Sequence, residues 1–170
     1  MAIQVLLVRH AIAEPRLDEG GSQPDDARRE LTPKGRRRMT RIARGLRRIH
    51  PRIDLLATSP FVRAADTAAI LATEYDSLEP VEVPELQPRT GVDAVLAWLR
   101  GIDALETVAA VGHEPDLSLI ASRLLSTRRE SILSLGKGGA CLLEVPDGVR
   151  PGTATLVWLL TPRHLRRLGR

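Results

Sequence analysis

Short continuous apolar runs alternate along this chain with longer stretches whose apolar residues return every three or four positions. Ile3 to Val8 is apolar except for Gln4 and rich in valine and leucine, as expected of a strand covered on both faces. Glu14 to Glu30 is polar, carries Gly20 and Gly21, and predicts a long loop. In "LTPKGRRRMTRIARGLRRI", Met39, Ile42, Ala43, Leu46 and Ile49 recur at helical spacing with arginines between them. Thr32 is a good N-cap, and Pro33 suits the first helical position. Gly35 and Gly45 should weaken that helix locally.

The alternation continues. "IDLLATSP" predicts a second strand, with Ser59 capping and Pro60 opening a helix through "FVRAADTAAILATEY". "EPVEVPEL" predicts a short edge strand, because Pro84 cannot serve a central ladder. "GVDAVLAWLRGI" and "DLSLIASRLLS" predict amphipathic helices on either side of a buried strand, "ETVAAVGHEP". "ESILSLGKGGACLLEV" and "GTATLVWLLTP" predict the closing strands. This order implies an α/β fold with a mostly parallel central sheet flanked by helices, in one domain over residues 1–170.

Composition adds limits. Of 170 residues only 2% are aromatic, so leucine, isoleucine, valine and alanine must build the core. No apolar run is long enough to cross a membrane. The N-terminal run lacks the form of a signal peptide, and a cytoplasmic location is the default expectation. The single cysteine, Cys141, lies in "ACLLEV" and reads as a small core residue. The net charge of +4 comes mainly from arginine, concentrated in "KGRRRMTRIARGLRRIHPR" and in the tail "PRHLRRLGR". A solvated helix face explains these clusters better than nucleic acid does. His50 and His164 read as surface or capping residues.

Three predicted strands end in charged or titratable groups: the first in Arg9 and His10, the third in His113, and the second in "TSP" with Arg63 in the next helical turn. Open α/β sheets bind ligands at the carboxyl ends of their strands. Were these strands neighbours, two arginines and two histidines would converge there, with helix starts near Ser59 and Pro115 adding amide donors. Arginine cannot shed its charge, and its planar fork matches phosphoryl oxygens. A histidine with one ring nitrogen free could accept a phosphoryl group covalently. The glycine-rich "SLGKGGA" lacks the spacing of a phosphate loop and predicts a turn or bulge.

At these residues the chain resembles the histidine phosphatase superfamily, also called phosphoglycerate mutase-like, and most of all its short SixA-type phosphohistidine phosphatases. "LLVRHAIAE" is similar to the opening motif and "ATSPFVRAADTA" to the Ser-Pro-x-x-Arg-Ala-x-x-Thr motif. Asp26, Arg29, Leu31, Thr32 and Gly35 match a third motif, and "VPELQP" and "VGHEPDLS" match later segments. Ala11 departs from the family by replacing a glycine. The resemblance implies a phosphoglycerate mutase-like three-layer sandwich. It also implies a phosphate pocket of Arg9, Arg63 and His113, with His10 as nucleophile, and neither metal nor cofactor. Ser59 is a further phosphate-binding candidate. Glu85, in "VPELQP", is the candidate proton donor by motif, ahead of Glu14 and Glu114.

The expected activity is hydrolysis of phosphohistidine on a protein, such as a histidine-phosphotransfer domain, through a covalent phosphohistidine on the enzyme. Connections that are short, apart from Glu14–Glu30, leave little to cover the pocket, which favours a protein substrate. A small-molecule phosphomonoesterase is the alternative within the same chemistry. A phosphate-binding module without turnover is the alternative of another class, motivated by Ala11. Neither a membrane nor nucleic acid is an expected partner.

Overall fold

A computed structural model describes residues 2–16, 26–102, 105–146 and 148–170. Part of the loop expected between Glu14 and Glu30, including Gly20 and Gly21, lies outside those residues. The described strands are β1 (Ile3–Arg9), β2 (Leu55–Thr58), β3 (Val81–Glu82), β4 (Thr107–Gly112), β5 (Ala140–Val145) and β6 (Thr155–Leu160). The described helices are α1 (Pro33–Ile49), α2 (Val62–Glu74), α3 (Val92–Arg100), α4 (Asp116–Leu125) and α5 (Pro162–Leu168), with a 3₁₀ turn at Pro84–Leu86.

The strands form one sheet in the order β3-β2-β4-β1-β5-β6. β1, β2, β3 and β4 are parallel, whereas β5 runs antiparallel to both of its neighbours. β1 and β4 are buried on both faces, as continuous apolar runs require. Successive side chains of β1 enter opposite halves of the core. Val5 and Leu7 pack with α3 and α4, while Leu6 and Val8 pack with α1, α2 and α5. β3 is two residues long, lies at the edge, and stops before Pro84.

Three elements differ from the sequence expectation. The strand expected over "ESILSLGKGGACLLEV" begins only at Ala140. Before it, Gly139 donates to the Gly136 carbonyl and Gly138 stands at φ +79°, so the chain turns there instead of pairing. The basic tail is helix α5, opened by Thr161 accepting from the His164 amide with Pro162 behind it. Thr32 and Pro33 start α1 in the same way, with Thr32 accepting from the Gly35 amide. Finally, α2 starts at Val62 after an N-cap at Phe61, and Ser59 is not its cap.

The glycines of α1 serve packing. A Cβ on Gly45 would lie 2.1 Å from the Leu165 carbonyl oxygen, and one on Gly169 would lie 1.8 Å from that of Arg41. Only paired glycines let the backbones of α1 and α5 approach this closely.

Candidate active site

β2, β4 and β1 are consecutive in the sheet, so their carboxyl ends lie side by side. Ser59–Phe61 connects β2 to α2, and His113–Pro115 connects β4 to α4. Over these ends lies a cleft of about 450 Å³, whose wall includes Arg9, His10, Arg63 and His113. The four residues that sequence placement singles out therefore do meet in one cavity.

His10 is held by its neighbours. Its amide donates to the Gly112 carbonyl at 3.0 Å, and its Nδ1 lies 2.8 Å from the Ala11 carbonyl oxygen. A carbonyl only accepts, so Nδ1 carries the proton and Nε2 keeps its lone pair. Arg63 Nε donates to that lone pair at 3.3 Å. Burial lowers the pKa of His10 to about 4. The bond to Ala11 opposes that shift, and the Arg63, Arg9 and Lys137 charges add to it. The ring is therefore neutral at pH 7.

Arg63 is almost fully buried. Its Nη1 donates to the Asp26 carbonyl at 2.6 Å and its Nη2 to Asp26 Oδ2 at 3.2 Å. Its guanidinium also lies 5.1 Å from the centre of the Phe61 ring. Asp26 organises more than one cation: Oδ1 accepts from Arg29 Nε at 2.9 Å and from Arg16 Nε at 3.1 Å. Burial pushes the Asp26 carboxyl up, but the bond from Arg29 and the charges of Arg63, Arg29 and Arg16 outweigh it and hold it below the usual range. Arg9 Nη1 donates to the Leu135 carbonyl at 2.7 Å, while its buried Nε has no partner.

His113 lies 5.2 Å from His10, centre to centre, and its Nε2 meets Ser59 Oγ at 2.8 Å. Its buried Nδ1 has no partner. Burial, and after it the Arg63 charge, lowers its pKa to about 3. Ser59 is fully buried, bonds His113, accepts from the Phe61 amide at 3.3 Å, and is not on the cleft wall. Its place is behind a pocket histidine, whereas the sequence expectation put it on the phosphate.

Glu85 is also off that wall. It lines a separate cavity of about 10 Å³ with Gln87, His113 and Asp116. Glu114 does line the cleft. Its Oε2 accepts from the Ser118 hydroxyl, its Oε1 is buried without a partner, and burial raises its pKa. Among the other acids on the wall, Asp26 is engaged by arginines and Asp116 Oδ2 accepts from the Arg89 amide at 3.0 Å.

Ala11 carries no strain. Its φ is not positive, its methyl group is buried in the core, and its amide donates to Thr67 Oγ1 at 3.0 Å. Lys137, from the glycine-rich turn, joins the cleft wall. Gly138 puts it there by donating to the Arg9 and His10 carbonyls, both at 3.1 Å, in a space where a Cβ would meet Ile42 Cδ1 at 2.7 Å. Sequence reasoning assigned no role to Asp26, Arg29 or Lys137. The first two stood in a recognised motif, but only the folded loop brings them to Arg63. Among the described residues no cluster of metal-ligating side chains occurs.

Comparisons with known proteins place the fold and the family. The model of the histidine phosphatase superfamily (branch 1) matches residues 5–91. An uncharacterized protein of Picosynechococcus sp. is 32% identical over 156 residues, covering 91% of this chain and 88% of that protein. The solved protein histidine phosphatase SixA complexed with tungstate superposes with a TM-score of 0.79 at 24% identity, over 96% of this chain and 99% of that one. The alpha-ribazole phosphatase of Shigella flexneri superposes with a TM-score of 0.77 at 18% identity, over 94% and 97%. The chain belongs to the histidine phosphatase superfamily, and its fold is the phosphoglycerate mutase-like fold of SixA. It is a phosphatase of that superfamily.

Proposed function

We propose that this protein hydrolyses phosphohistidine on another protein, with His10 as the nucleophile. One observation carries the reading: a neutral imidazole with Nδ1 held by a carbonyl and its Nε2 lone pair met only by the long 3.3 Å bond from Arg63 Nε, inside a cleft of cations. That arrangement is of little use for binding alone, since a further donor would hold phosphate better than a lone pair. The phosphoryl group binds to Arg9 through its free Nε, to Arg63, and to Nδ1–H of His113. Ser59 supports the last of these by donating its hydroxyl proton into His113 Nε2, which leaves the ring proton on Nδ1. The tungstate bound by SixA is an oxyanion of phosphate's shape and charge.

His10 Nε2 attacks phosphorus, the bond to the leaving nitrogen breaks, and that nitrogen takes a proton from the Glu114 carboxyl. Water then attacks the phosphohistidine on His10, gives a proton back to the Glu114 carboxylate, and releases phosphate. Glu114 replaces Glu85 as the proposed donor, because it lines the cleft and burial keeps it protonated more readily. A small-molecule phosphomonoester is the second reading, favoured by the likeness in fold to the alpha-ribazole phosphatase.

A turnover panel tests this. A histidine-phosphorylated phosphotransfer domain should be cleaved with a higher kcat/KM than free phosphohistidine, phosphoramidate or alkyl phosphates, and alkali-stable label should appear on His10. Faster turnover of an alkyl phosphate than of the phosphoprotein would favour the second reading, and label that persists in His10→Ala would sink the mechanism. Activity should survive exhaustive chelation, because arginines supply the charge that a metal provides elsewhere.

A further inference from the structure

The arginines of α1 divide into two flanks. On the flank facing α2, Arg36, Arg44 and Arg47 pair with Asp66, Glu74 and Asp76 at 2.6, 3.1 and 2.7 Å. On the flank facing α5, Arg38 and Arg41 stand near Arg166, as Arg163 does from α5 itself, and among the described residues none of the four has a carboxylate within ion-pair distance. Between α1 and α5 lies a groove of about 270 Å³. Its apolar surface comes from residues such as Ile12, Ile42 and Pro162, and its rim carries Arg38, Arg166 and Lys137. Lys137 also lines the histidine cleft, and Ala11, beside His10, lines the groove, so the two cavities share a wall.

We propose that this groove docks an acidic segment of the phosphorylated protein substrate, seating one apolar side chain between α1 and α5 and delivering the phosphohistidine past Lys137 to His10. The inference rests on the reading of the site as a protein phosphohistidine phosphatase. Charge complementarity selects the occupant: unpaired cations around an apolar floor fit aspartates and glutamates beside an exposed leucine or similar residue. Nucleic acid fits less well, because no aromatic side chain lines the groove for bases to stack on. The neutralised flank shows that the fold can pair arginines on α1 where nothing has to dock.

The test uses the double variant Arg38→Glu, Arg166→Glu and its control Arg38→Lys, Arg166→Lys. Two substrates are compared: a histidine-phosphorylated phosphotransfer domain of net negative charge, and free phosphohistidine. The glutamate variant should lose at least tenfold in kcat/KM on the phosphoprotein, mainly through KM. It should stay within twofold of wild type on free phosphohistidine, and the lysine variant should match wild type on both. Raising salt should weaken wild-type turnover of the phosphoprotein and leave that of the variant nearly unchanged. Unchanged phosphoprotein turnover in the glutamate variant would overturn the docking site and leave the proposed function standing. Equal losses on both substrates would overturn it as well, because the arginines would then support the fold. No turnover of the phosphoprotein by wild type, with free phosphohistidine still cleaved, would overturn both. Single-stranded RNA that binds wild type but not the glutamate variant, without a selective loss on phosphoprotein, would assign the groove to nucleic acid instead.

Discussion

Buried, and beside the charges of Arg63, Arg9 and Lys137, the His10 ring stays neutral at pH 6.5, where an exposed histidine would be half charged, even though its Nδ1 bond to Ala11 favours the charged form. This has a cost with a definite sign. An unfolded chain protonates each ring near 6.5, whereas the native protein resists down to about 4 at His10 and about 3 at His113. Below pH 6.5 the unfolded state therefore binds protons that the native state refuses, and stability falls as pH falls toward 4. The slope is roughly 1.4 kcal/mol per pH unit for each ring. Denaturant titrations at pH 7 and pH 5 should show a smaller loss in His10→Asn than in wild type, and ring ¹⁵N shifts of both histidines should stay constant from pH 8 to about 5. A midpoint near 6.5 for either would contradict the burial argument. Asp26 offers a second test. Asp26→Asn weakens the hold on Arg63, and a misplacement of about 1 Å at a reacting centre costs on the order of 10²-fold. We expect kcat/KM to fall about 10–100-fold on that basis with Tm nearly unchanged; unaltered turnover would show that the Asp26 carbonyl and the Phe61 ring hold Arg63 without the carboxylate. The sequence marked the four pocket residues because Arg9, His10 and His113 stand at strand ends and Arg63 in the first turn of the helix after β2. It could not mark Glu114 over Glu85, because that choice depends on which carboxyl lines the cleft and which lies in the smaller cavity.

At the scale of elements, apolar patterning located every strand but misjudged the start of β5. Ile132 and Leu135 continue the apolar rhythm of "ESILSL", yet Ile132 is exposed with its amide donating to Ser122 Oγ, and Leu135 is buried as a loop residue. An apolar rhythm with a single buried anchor can imitate a strand. α5 was overlooked for the opposite reason: its arginines hide a Thr-Pro start that α1 shows openly. The Gly45–Gly169 contact was invisible because Gly45 reads as a weak point in α1. Alanine there should raise intrinsic helicity by about 1 kcal/mol. The added Cβ, 2.1 Å from the Leu165 carbonyl, forces α5 away and costs about 1–3 kcal/mol, so the clash wins. Gly45→Ala should accordingly unfold at lower denaturant. A rise in midpoint would mean that α5 contributes little to stability.

Over the whole molecule, cationic side chains gather at one end of the sheet, where the buried Arg63 and the half-buried Arg9 face two neutral histidines. An oxyanion that binds there binds only the native state and must raise its stability, by about 2.7 kcal/mol at a concentration of 100 Kd. Tungstate or orthophosphate should therefore raise Tm in wild type and far less in Arg9→Ala; equal shifts would place the anion elsewhere. The parallel core was legible from its valine-rich runs, but the antiparallel β5 was not, and β5 changes how His10 is held. At the end of β1, Arg9 donates its amide to Gly139, His10 donates to Gly112, and Gly138 donates back to both of their carbonyls. The main chain of His10 is thus laced into β4 on one side and into the turn before β5 on the other. Its amide should exchange with deuterium only when the centre of the sheet opens. The slowest-exchanging protons should therefore include that of His10, so that the ring loses its place only when the molecule comes apart altogether.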